Sequence, residues 1–302
     1  MSTLKELQGK IISLKKTQKI TSAMKMISTT KFNRYLPFMV QAKSYRKSLL
    51  KVAENLKSHL KESPHPLSQE KSQVKNIRII TITSDRGLCG SFNSYISKQT
   101  LQLLNEKSDH RVSGSFFGKK AYVFFSSKKM KEITSFQEMR LENFPTSDEK
   151  EENIPSDLPS QKETAVVAEK LMQDFLSNKV DEVYLSYNFF YSTISQKPTL
   201  EKLLPFHIEL DDQKKTESHV TLFEPNVKDL TNGLLRLFVC QKIYFALISS
   251  LVGEHAARMT AMDNASKNCD DLIDKFTLEK NRARQAAITT ELVEIISGSE
   301  SL

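Results

Sequence analysis

Tryptophan is absent from the 302-residue chain, and glycine is scarce, with eight residues. So few turn-forming residues argue against a loop-rich all-β fold. The three cysteines, Cys89, Cys240 and Cys269, are odd in number and widely spaced, and no CxxC pair occurs. The pattern indicates neither a disulfide framework nor a zinc site, and it favours a reducing compartment.

The chain also lacks the sequence features of a membrane segment. Its first residues, Met-Ser-Thr-Leu-Lys-Glu, contain no apolar core of a signal peptide. The longest apolar run, Ile243 to Val252, is interrupted by serines and is far shorter than a membrane span. We therefore expect no direct membrane span, which leaves attachment to a membrane-bound partner open.

Motifs of known active sites are missing as well. The six histidines are scattered, no HExxH pair occurs, and GxSxG is absent. Gly87 and Gly90 do not make GxGxxG, and Gly118-Lys119 lacks both the spacing and the Ser or Thr of a phosphate loop. On chemistry alone we predict a non-enzyme without catalytic, cofactor-binding or metal-ligating residues. A nucleotide-using α/β enzyme is the less favoured alternative.

The most informative stretch runs from Asn226 to Gly298 and contains no proline. Apolar or neutral residues recur there in steps of four and three, which is the spacing of a coiled-coil seam. These residues are Leu230, Leu234, Leu237, Gln241, Tyr244, Ile248, Leu251, His255, Arg258, Met262, Ala265, Cys269, Leu272 and Phe276. A helix of this size is roughly 105 Å long, about twice the diameter of a compact chain of this length, which is about 50 Å. The protein is therefore expected to be partly a rod.

A second long helix is predicted from Ser2 to about Leu60. The same spacing places on its seam Leu4, Leu7, Ile11, Leu14 and Gln18, followed with a shift of phase by Ile20, Ala23, Met24 and Ile27. Pro37 is expected to kink this helix or to interrupt one hydrogen bond. Because each seam is too narrow for a globular core, we predict that the two helices pack as an antiparallel coiled coil.

The residues between the helices predict an α/β domain. Strands are indicated at 76–83, 113–118, 180–189 and 203–210, and helices at 92–105, 119–126 and 163–178. This alternation favours a mainly parallel sheet. The predicted fold class is α/β plus a long antiparallel coiled coil, in which terminal helices (2–60 and 226–298) form a two-helix shaft around an inserted doubly wound, Rossmann-like α/β domain (75–212).

Positive charge is concentrated in the first sixty residues of the chain. Residues 1–60 carry thirteen Lys and Arg against two Glu, a balance of +11, whereas residues 226–302 carry nine basic against ten acidic residues, a balance of −1. A basic helix of this kind either binds nucleic acid or is a solvated face.

Seven of the eleven residues from Ala286 to Ile296 are apolar, and an unpaired helix this apolar must be covered. A hydrophobic socket in a partner is favoured over folding back onto the chain's own globular part.

Four stretches resemble the hallmark sequences of the gamma subunit family of F-type ATP synthases. They are ITSAMKMI (20–27), SDRGLCGSFN (84–93), EHAARMTAM (254–262) and NRARQAAITTEL (281–292). They occur in the family's order, span nearly the whole chain and are highly specific together. The chain departs from the family pattern at 143–160, and the cysteine-bearing insertion of the chloroplast form does not occur.

The resemblance implies a central rotor shaft that couples ion flow through the membrane c ring of Fo to ATP synthesis in the alpha3beta3 ring of F1. The implied partners are the alpha and beta subunits of F1, the epsilon subunit and the c ring, with no nucleic acid. The active sites would lie on the beta subunits, so this chain would be non-catalytic. Its implied location is peripheral, on the cytoplasmic side of a bacterial inner membrane.

The resemblance also implies residues that contact the alpha/beta ring. Arg258, Gln285 and Thr289 match positions that make polar contacts with beta-subunit loops, and Met24 and Lys25 match the stretch near the acidic lever of the beta subunit. Within the apolar stretch 286–296, the residues expected to turn in a collar of alpha and beta subunits are Ile288, Leu292, Ile295 and Ile296. Residues 34–45 and 205–223 would lie toward the c ring and epsilon.

Overall fold

In a computed structural model, the structure describes residues 4–55, 65–126, 132–135, 158–206 and 227–300. The elements in chain order are α1 (Leu4–Asn55), a short 3-10 helix (Pro66–Ser68), β1 (Asn76–Ile82), α2 (Phe92–Glu106), β2 (Arg111–Phe117), α3 (Lys119–Ser126), β3 (Glu132–Ser135), α4 (Gln161–Leu176), β4 (Glu182–Phe190), β5 (Gln196–Leu204) and α5 (Val227–Glu300). The chain forms two compact units. The first unit comprises Met1–Thr30 with Arg258–Leu302, and the second comprises Lys31–Ala257.

The second unit contains a five-stranded sheet with the strand order β3-β2-β1-β4-β5. Strands β1 to β4 are parallel, and the strand order reverses between β1 and β4. The predicted doubly wound sheet is therefore confirmed. The edge strand β5 runs antiparallel to β4 and was not predicted at its true position. It contains charged residues and Pro198, and an edge strand tolerates both because one side of its backbone needs no partner.

Both faces of the sheet are covered. On one face, β1 and β4 pack against α4 and against the parts of α1 and α5 that belong to the second unit. The central residues of this core are Leu49, Ile80, Leu171, Phe175, Val183, Leu185, Leu235, Phe238 and Val239. On the other face lie α2 and α3, and Phe116 of β2 stacks on Phe125 of α3 with ring centroids 5.0 Å apart.

The buried residues of α1 keep a single frame of alternating four- and three-residue steps. In the first unit they are Leu7, Ile11, Thr21 and Ser28, and in the second they are Phe32, Tyr35, Met39, Ala42, Leu49 and Ala53. The predicted shift of phase is wrong, because Ile20 and Ile27 are 60% and 59% exposed. Residues of one frame face the same side of a helix whatever their polarity, so Thr21 and Ser28 are buried instead. The helix continues through Pro37.

The seam predicted for α5 is mostly buried. Its buried members are Leu234, Gln241, Tyr244, Ile248, His255, Arg258, Met262 and Cys269. Leu237 is an exception at 49% exposed, because the covered face of this part of α5 is centred on Leu235 and Val239, about 200° around the helix from it. Leu272 is also exposed. Among the described residues, α5 is long and apolar enough by composition to cross a membrane, but 67% of its most apolar 18-residue window is buried inside the protein, so support for a span is weak.

A group of charged residues joins the amino-terminal ends of β1 and β4. The Asp181 carboxylate accepts hydrogen bonds from the backbone amides of Lys75 (2.9 Å) and Asn76 (2.8 Å) and from Lys71 Nζ (3.2 Å). Lys71 Nζ also donates to two backbone carbonyls at 3.0 and 3.1 Å. The group therefore satisfies backbone polar atoms of three segments at once.

Burial alone would raise the pKa of the Asp181 carboxyl group. The hydrogen bonds from Asn76, Lys75 and Lys71 outweigh burial and hold this pKa below its usual value. Because the folded-state pKa is depressed, the stabilisation is present above the unfolded-state pKa, about 3.9. It is lost as the pH falls through the folded-state pKa.

We predict that Asp181→Asn lowers the free energy of unfolding by about 2 kcal/mol at pH 7, because charge-assisted hydrogen bonds are lost. The difference between wild type and variant should shrink as the pH falls below about 4. Urea denaturation at pH 7 and at about pH 3 measures both effects. The matched control is Asp109→Asn at an exposed site, which should change stability by less than about 0.5 kcal/mol. A pH-independent difference for Asp181→Asn would contradict the prediction.

Candidate functional site

The turn after β1 lies at the edge of the sheet where a doubly wound fold usually binds a ligand. Ligands in this fold class bind at the carboxyl ends of the strands where the strand order reverses, which here is between β1 and β4. The turn is closed by Asn93, whose Oδ1 accepts from the amide of Ser84 at 3.0 Å. Asn93 Nδ2 donates to Ser84 Oγ at 2.7 Å and to Cys89 Sγ at 3.2 Å. Cys89 is buried, so its observed role is structural.

Backbone geometry explains two glycines near this turn without a ligand. Gly90 has a φ of +58° and Gly118 a φ of +86°, a region that favours glycine. A Cβ atom at Gly118 would lie 2.1 Å from the carbonyl oxygen of Thr83. The Asp85 carboxylate accepts from the amide of Lys119 at 3.0 Å and so connects the turn to the start of α3.

The crevice between β1 and β4 is filled by the chain itself. The Asn188 side chain of β4 donates to the carbonyl oxygen of Phe92 at 3.0 Å. Ser249 and Ser250 of α5 accept from backbone amides near the end of β4. Helix α5 thus packs against the carboxyl end of β4 and the Phe92 ring, at the crevice where this fold class usually binds a ligand. Within the described ranges, no group of three or more His, Cys, Asp or Glu side chains could hold a metal ion.

The first unit pairs the start of α1 with the later part of α5 in a single antiparallel register. The cross-helix contacts are Lys10 Nζ over the Phe276 ring at 5.5 Å, the hydrogen bond from Gln18 to Asp270, and Lys25 Nζ to Asp263 Oδ1 at 2.6 Å. Partner numbers in an antiparallel pair have a nearly constant sum. The three sums lie between 286 and 288, so all three contacts belong to one register.

Asp263 is bound by two lysines, since Lys267 lies one turn further along α5 with Nζ 2.9 Å from Asp263 Oδ2. Hydrogen bonds from Lys25 and Lys267 hold the pKa of Asp263 below its usual value. Lys25 was predicted to contact another subunit. The structure shows that it already has a partner inside the chain, and its contact with a beta subunit stays a prediction.

The end of α5 extends beyond the part of α1 that the structure describes. In the register above, Leu4, the first described residue of α1, faces position 284, and every described side chain from 284 to 299 is exposed. We call residues 285–299 the tip. Its large apolar side chains, each between 49% and 68% exposed, are Ile288, Leu292, Val293, Ile295 and Ile296.

The remaining predicted site residues fall into different environments. Arg258 is only 6% exposed, Met24 is half-buried, and Gln285 and Thr289 are exposed on the tip. Residue 24 faces position 264, about 30 Å along α5 from Gln285 at 1.5 Å per residue. The predicted residues therefore form two separate groups, and the partner contacts assigned to them stay predictions. His255 is packed, with its ring 5.5 Å from that of Tyr35.

Sequence reasoning did not single out an apolar surface on α1. Ile20, Met26 and Ile27 expose 60%, 71% and 59% of their surface, respectively. The sequence contains a signal for this surface, because these apolar residues lie outside the four- and three-residue frame of the buried positions. Such residues on an otherwise paired helix indicate a second covered surface.

Comparisons with known proteins bear on this arrangement. A sequence model of the ATP synthase family matches residues 3–302. The ATP synthase gamma chain of Trichlorobacter lovleyi is 37% identical over 304 residues, covering 100% of this chain and 99% of the relative. That of Geobacter metallireducens is 38% identical over 306 residues with the same coverage. Among solved structures, a chain of the Euglena gracilis mitochondrial ATP synthase (OSCP/F1/c-ring, rotational state 3) has a TM-score of 0.65 at 19% identity, covering 99% of this chain and 94% of that chain. One from the Tetrahymena thermophila central stalk and c-ring has a TM-score of 0.55 at 24% identity, covering 82% and 99%.

The chain thus has two long terminal helices and an inserted sheet, and α5 packs at the place where this fold class usually binds a ligand. This is the fold of a central-stalk subunit. The match to the family model and the identity to relatives of equal length go further than the fold. The chain belongs to the ATP synthase gamma chain family, whose members are the non-catalytic central-stalk subunit, with the catalytic sites on other subunits.

We predict that Lys25→Glu destabilises the helix pair of the first unit, because two carboxylates then face each other across it. Adding Asp263→Lys should recover part of the loss, because opposite charges again face each other, although Lys267 then has a like charge one turn away. Thermal melting followed by circular dichroism gives the coupling between the two sites from a double-mutant cycle. Lys19→Glu, the same charge change at an exposed position, is the control and should show no coupling to Asp263→Lys. Strictly additive effects of Lys25→Glu and Asp263→Lys would refute the prediction.

Proposed function

We propose that this chain is the rotor shaft of an ATP synthase in which the tip of α5 turns inside a collar of alpha and beta subunits. The observation that carries this proposal is the exposed tip, where apolar side chains continue beyond the last position that faces the described part of α1. Such a surface requires a covering partner. Relatives that match over their full length carry the same stretch of chain.

The chemistry of the tip suits a surface that turns against its partner. Apolar contacts are non-directional, so a helix held by them can rotate without breaking specific bonds. The hydroxyl groups of the tip are already bonded to their own helix, for example Thr289 Oγ1 to the carbonyl oxygen of Gln285 at 2.9 Å and Thr290 Oγ1 to that of Ala286 at 3.0 Å. The tip thus makes few demands for directional hydrogen bonds. We propose Ile288, Leu292, Ile295 and Ile296 as its contact residues.

Further contacts with the ring are proposed at two places along α5 and at one place along α1. Gln285 and Thr289 are exposed and available to beta-subunit loops, and Arg258 is assigned the same role by family resemblance. Met24 and Lys25 are proposed to lie near the acidic lever of the beta subunit, next to the exposed Met26 and Ile27. The +11 balance of residues 1–60 favours an acidic partner surface through long-range attraction.

The other proposed partners are the epsilon subunit and the c ring of Fo. They would contact residues 34–45 and 205–223, of which 207–223 lie outside the described residues. The division of labour we propose is a shaft made of residues 2–60 and 226–298 and a base made of residues 75–212. Through the c ring the chain would lie peripherally on the cytoplasmic side of a bacterial inner membrane.

We predict that replacing Ile288, Leu292, Ile295 and Ile296 together by glutamine weakens assembly with alpha and beta subunits. Each apolar side chain that no longer fits the collar removes about 2 kcal/mol of burial, roughly a thirtyfold loss in association. Glutamine is a good helix former, so the tip should stay helical. Co-purification of the three subunits and ion-coupled ATP synthesis in membrane vesicles measure the effect.

The matched control is Glu291→Gln, which changes an exposed polar position of the same helix turn and should leave assembly unchanged. Deleting residues 286–302 should reproduce the loss seen with the fourfold variant. Wild-type assembly and ATP synthesis with either altered chain would show that the tip is not a bearing surface.

A further inference from the structure

The last residues of β4 extend beyond the strand that pairs with them on one side, although they lie inside the protein. Its pairing with β1 stops at Ser186, opposite Thr81, whereas its pairing with β5 continues to Phe190. On the β1 side, the last four residues of β4 therefore have no strand beside them. Backbone amides left without a partner in the interior would be costly.

Two serines of α5 take the place of the missing strand. The amide of Phe190 donates to Ser249 Oγ at 2.9 Å, and the amide of Asn188 donates to Ser250 Oγ at 3.2 Å. Ser249 Oγ in turn donates to the carbonyl oxygen of Asn188 at 3.3 Å. Both serines are buried, so these bonds are protected from water.

Small residues bring α5 close enough for these bonds to form. Gly253, one turn after Ser249, faces the same edge, and a Cβ atom there would lie 3.4 Å from both Gln196 Cγ and a ring carbon of Phe92. Ala246, one turn before Ser250, is fully buried. A side chain larger than alanine at either position would move the helix away from the strand.

A second polar attachment lies on the same side of α5, two turns earlier. Lys242 Nζ is 3.9 Å from Glu201 Oε2 of β5, and Glu201 Oε1 accepts from the hydroxyl of the buried Tyr187 at 2.8 Å. Burial, together with the Glu201 carboxylate, raises the pKa of Tyr187, so its hydroxyl stays a donor. Seven residues separate Lys242 from Ser249, which is about two helical turns on one face.

Directional bonds of this kind resist a motion that apolar packing permits. Apolar contacts allow neighbouring elements to slide by small amounts, whereas a hydrogen bond weakens steeply when its geometry changes. We propose that Ser249 and Ser250 are positioning residues that fix the rotational phase of α5 on the sheet and so transmit torque between them. This inference rests on the proposed function as a rotor shaft.

The test uses the complete ATP synthase in inverted membrane vesicles, with wild type compared with the double variant S249A/S250A. Hydrogen exchange at the amides of Asn188 and Phe190 should become about tenfold faster, because each loses one buried hydrogen bond. ATP hydrolysis should stay within about twofold of wild type, while the ions taken up per ATP hydrolysed should fall to roughly half, because the attachment opens more often under load. The single variants S249A and S250A should give smaller losses of the same kind, and they carry the test if the double variant does not assemble.

The matched control is S48A, which removes an exposed serine hydroxyl that donates to the carbonyl oxygen of Ser44 in the preceding turn of α1. Its ratio of ions to ATP should equal that of wild type. If the serine variants exchange faster at both amides but keep the wild-type ratio, the serines are structural only and the proposal is overturned. Wild-type vesicles that hydrolyse ATP without taking up ions would instead contradict the proposed function, and the inference with it.

Discussion

The constraint on which the first unit depends is that two paired helices can bury only one narrow row of side chains each. The frame of α1 places Thr21, Lys25 and Ser28 in that row beside Leu7 and Ile11. Polar groups on a seam add little stability, since exposed or half-exposed ion pairs are weak. They restrict the register instead. Most side chains outside the row stay exposed in this chain, and they form the surface that is available to other subunits.

The helices of the second unit are covered over a wider face than those of the first, because they pack against a sheet. The doubly wound sheet belongs to a class whose usual ligand site lies where the strand order reverses. Here α5 packs at that crevice, where Ser249 and Ser250 accept hydrogen bonds from the backbone of β4. The edge of the sheet that often binds a nucleotide in other proteins of this fold class therefore binds a helix of the same chain here. This agrees with a family whose catalytic sites lie on other subunits.

A single helix, α5, therefore has three environments along its sequence. From Leu234 to Ala256 it is buried widely, from Met262 to Phe276 mainly along one row, and from 284 to 299 not at all. The first environment suits attachment to the sheet, the second suits pairing with α1, and the third suits contact with a partner. The change from one role to the next needs no break in the helix, because the side chains alone decide what each turn can contact.

Periodicity in the sequence determined the two long helices and most of the α5 seam, because apolar residues in steps of four and three carry their own register. The sequence also predicted the parallel strands β1, β2 and β4, of which β1 is rich in β-branched residues, but not β3. It predicted the apolar tip, and the hallmark stretches indicated the family. Only the tertiary structure decided the frame of α1, since the polar Thr21 and Ser28 are buried by their place in the helix while Ile20 and Ile27 are not. It alone decided the antiparallel β5, whose half-exposed residues follow no clear pattern, and the role of Ser249 and Ser250. The partners of those hydroxyls lie about sixty residues away in the chain, and no local pattern specifies a contact at that distance.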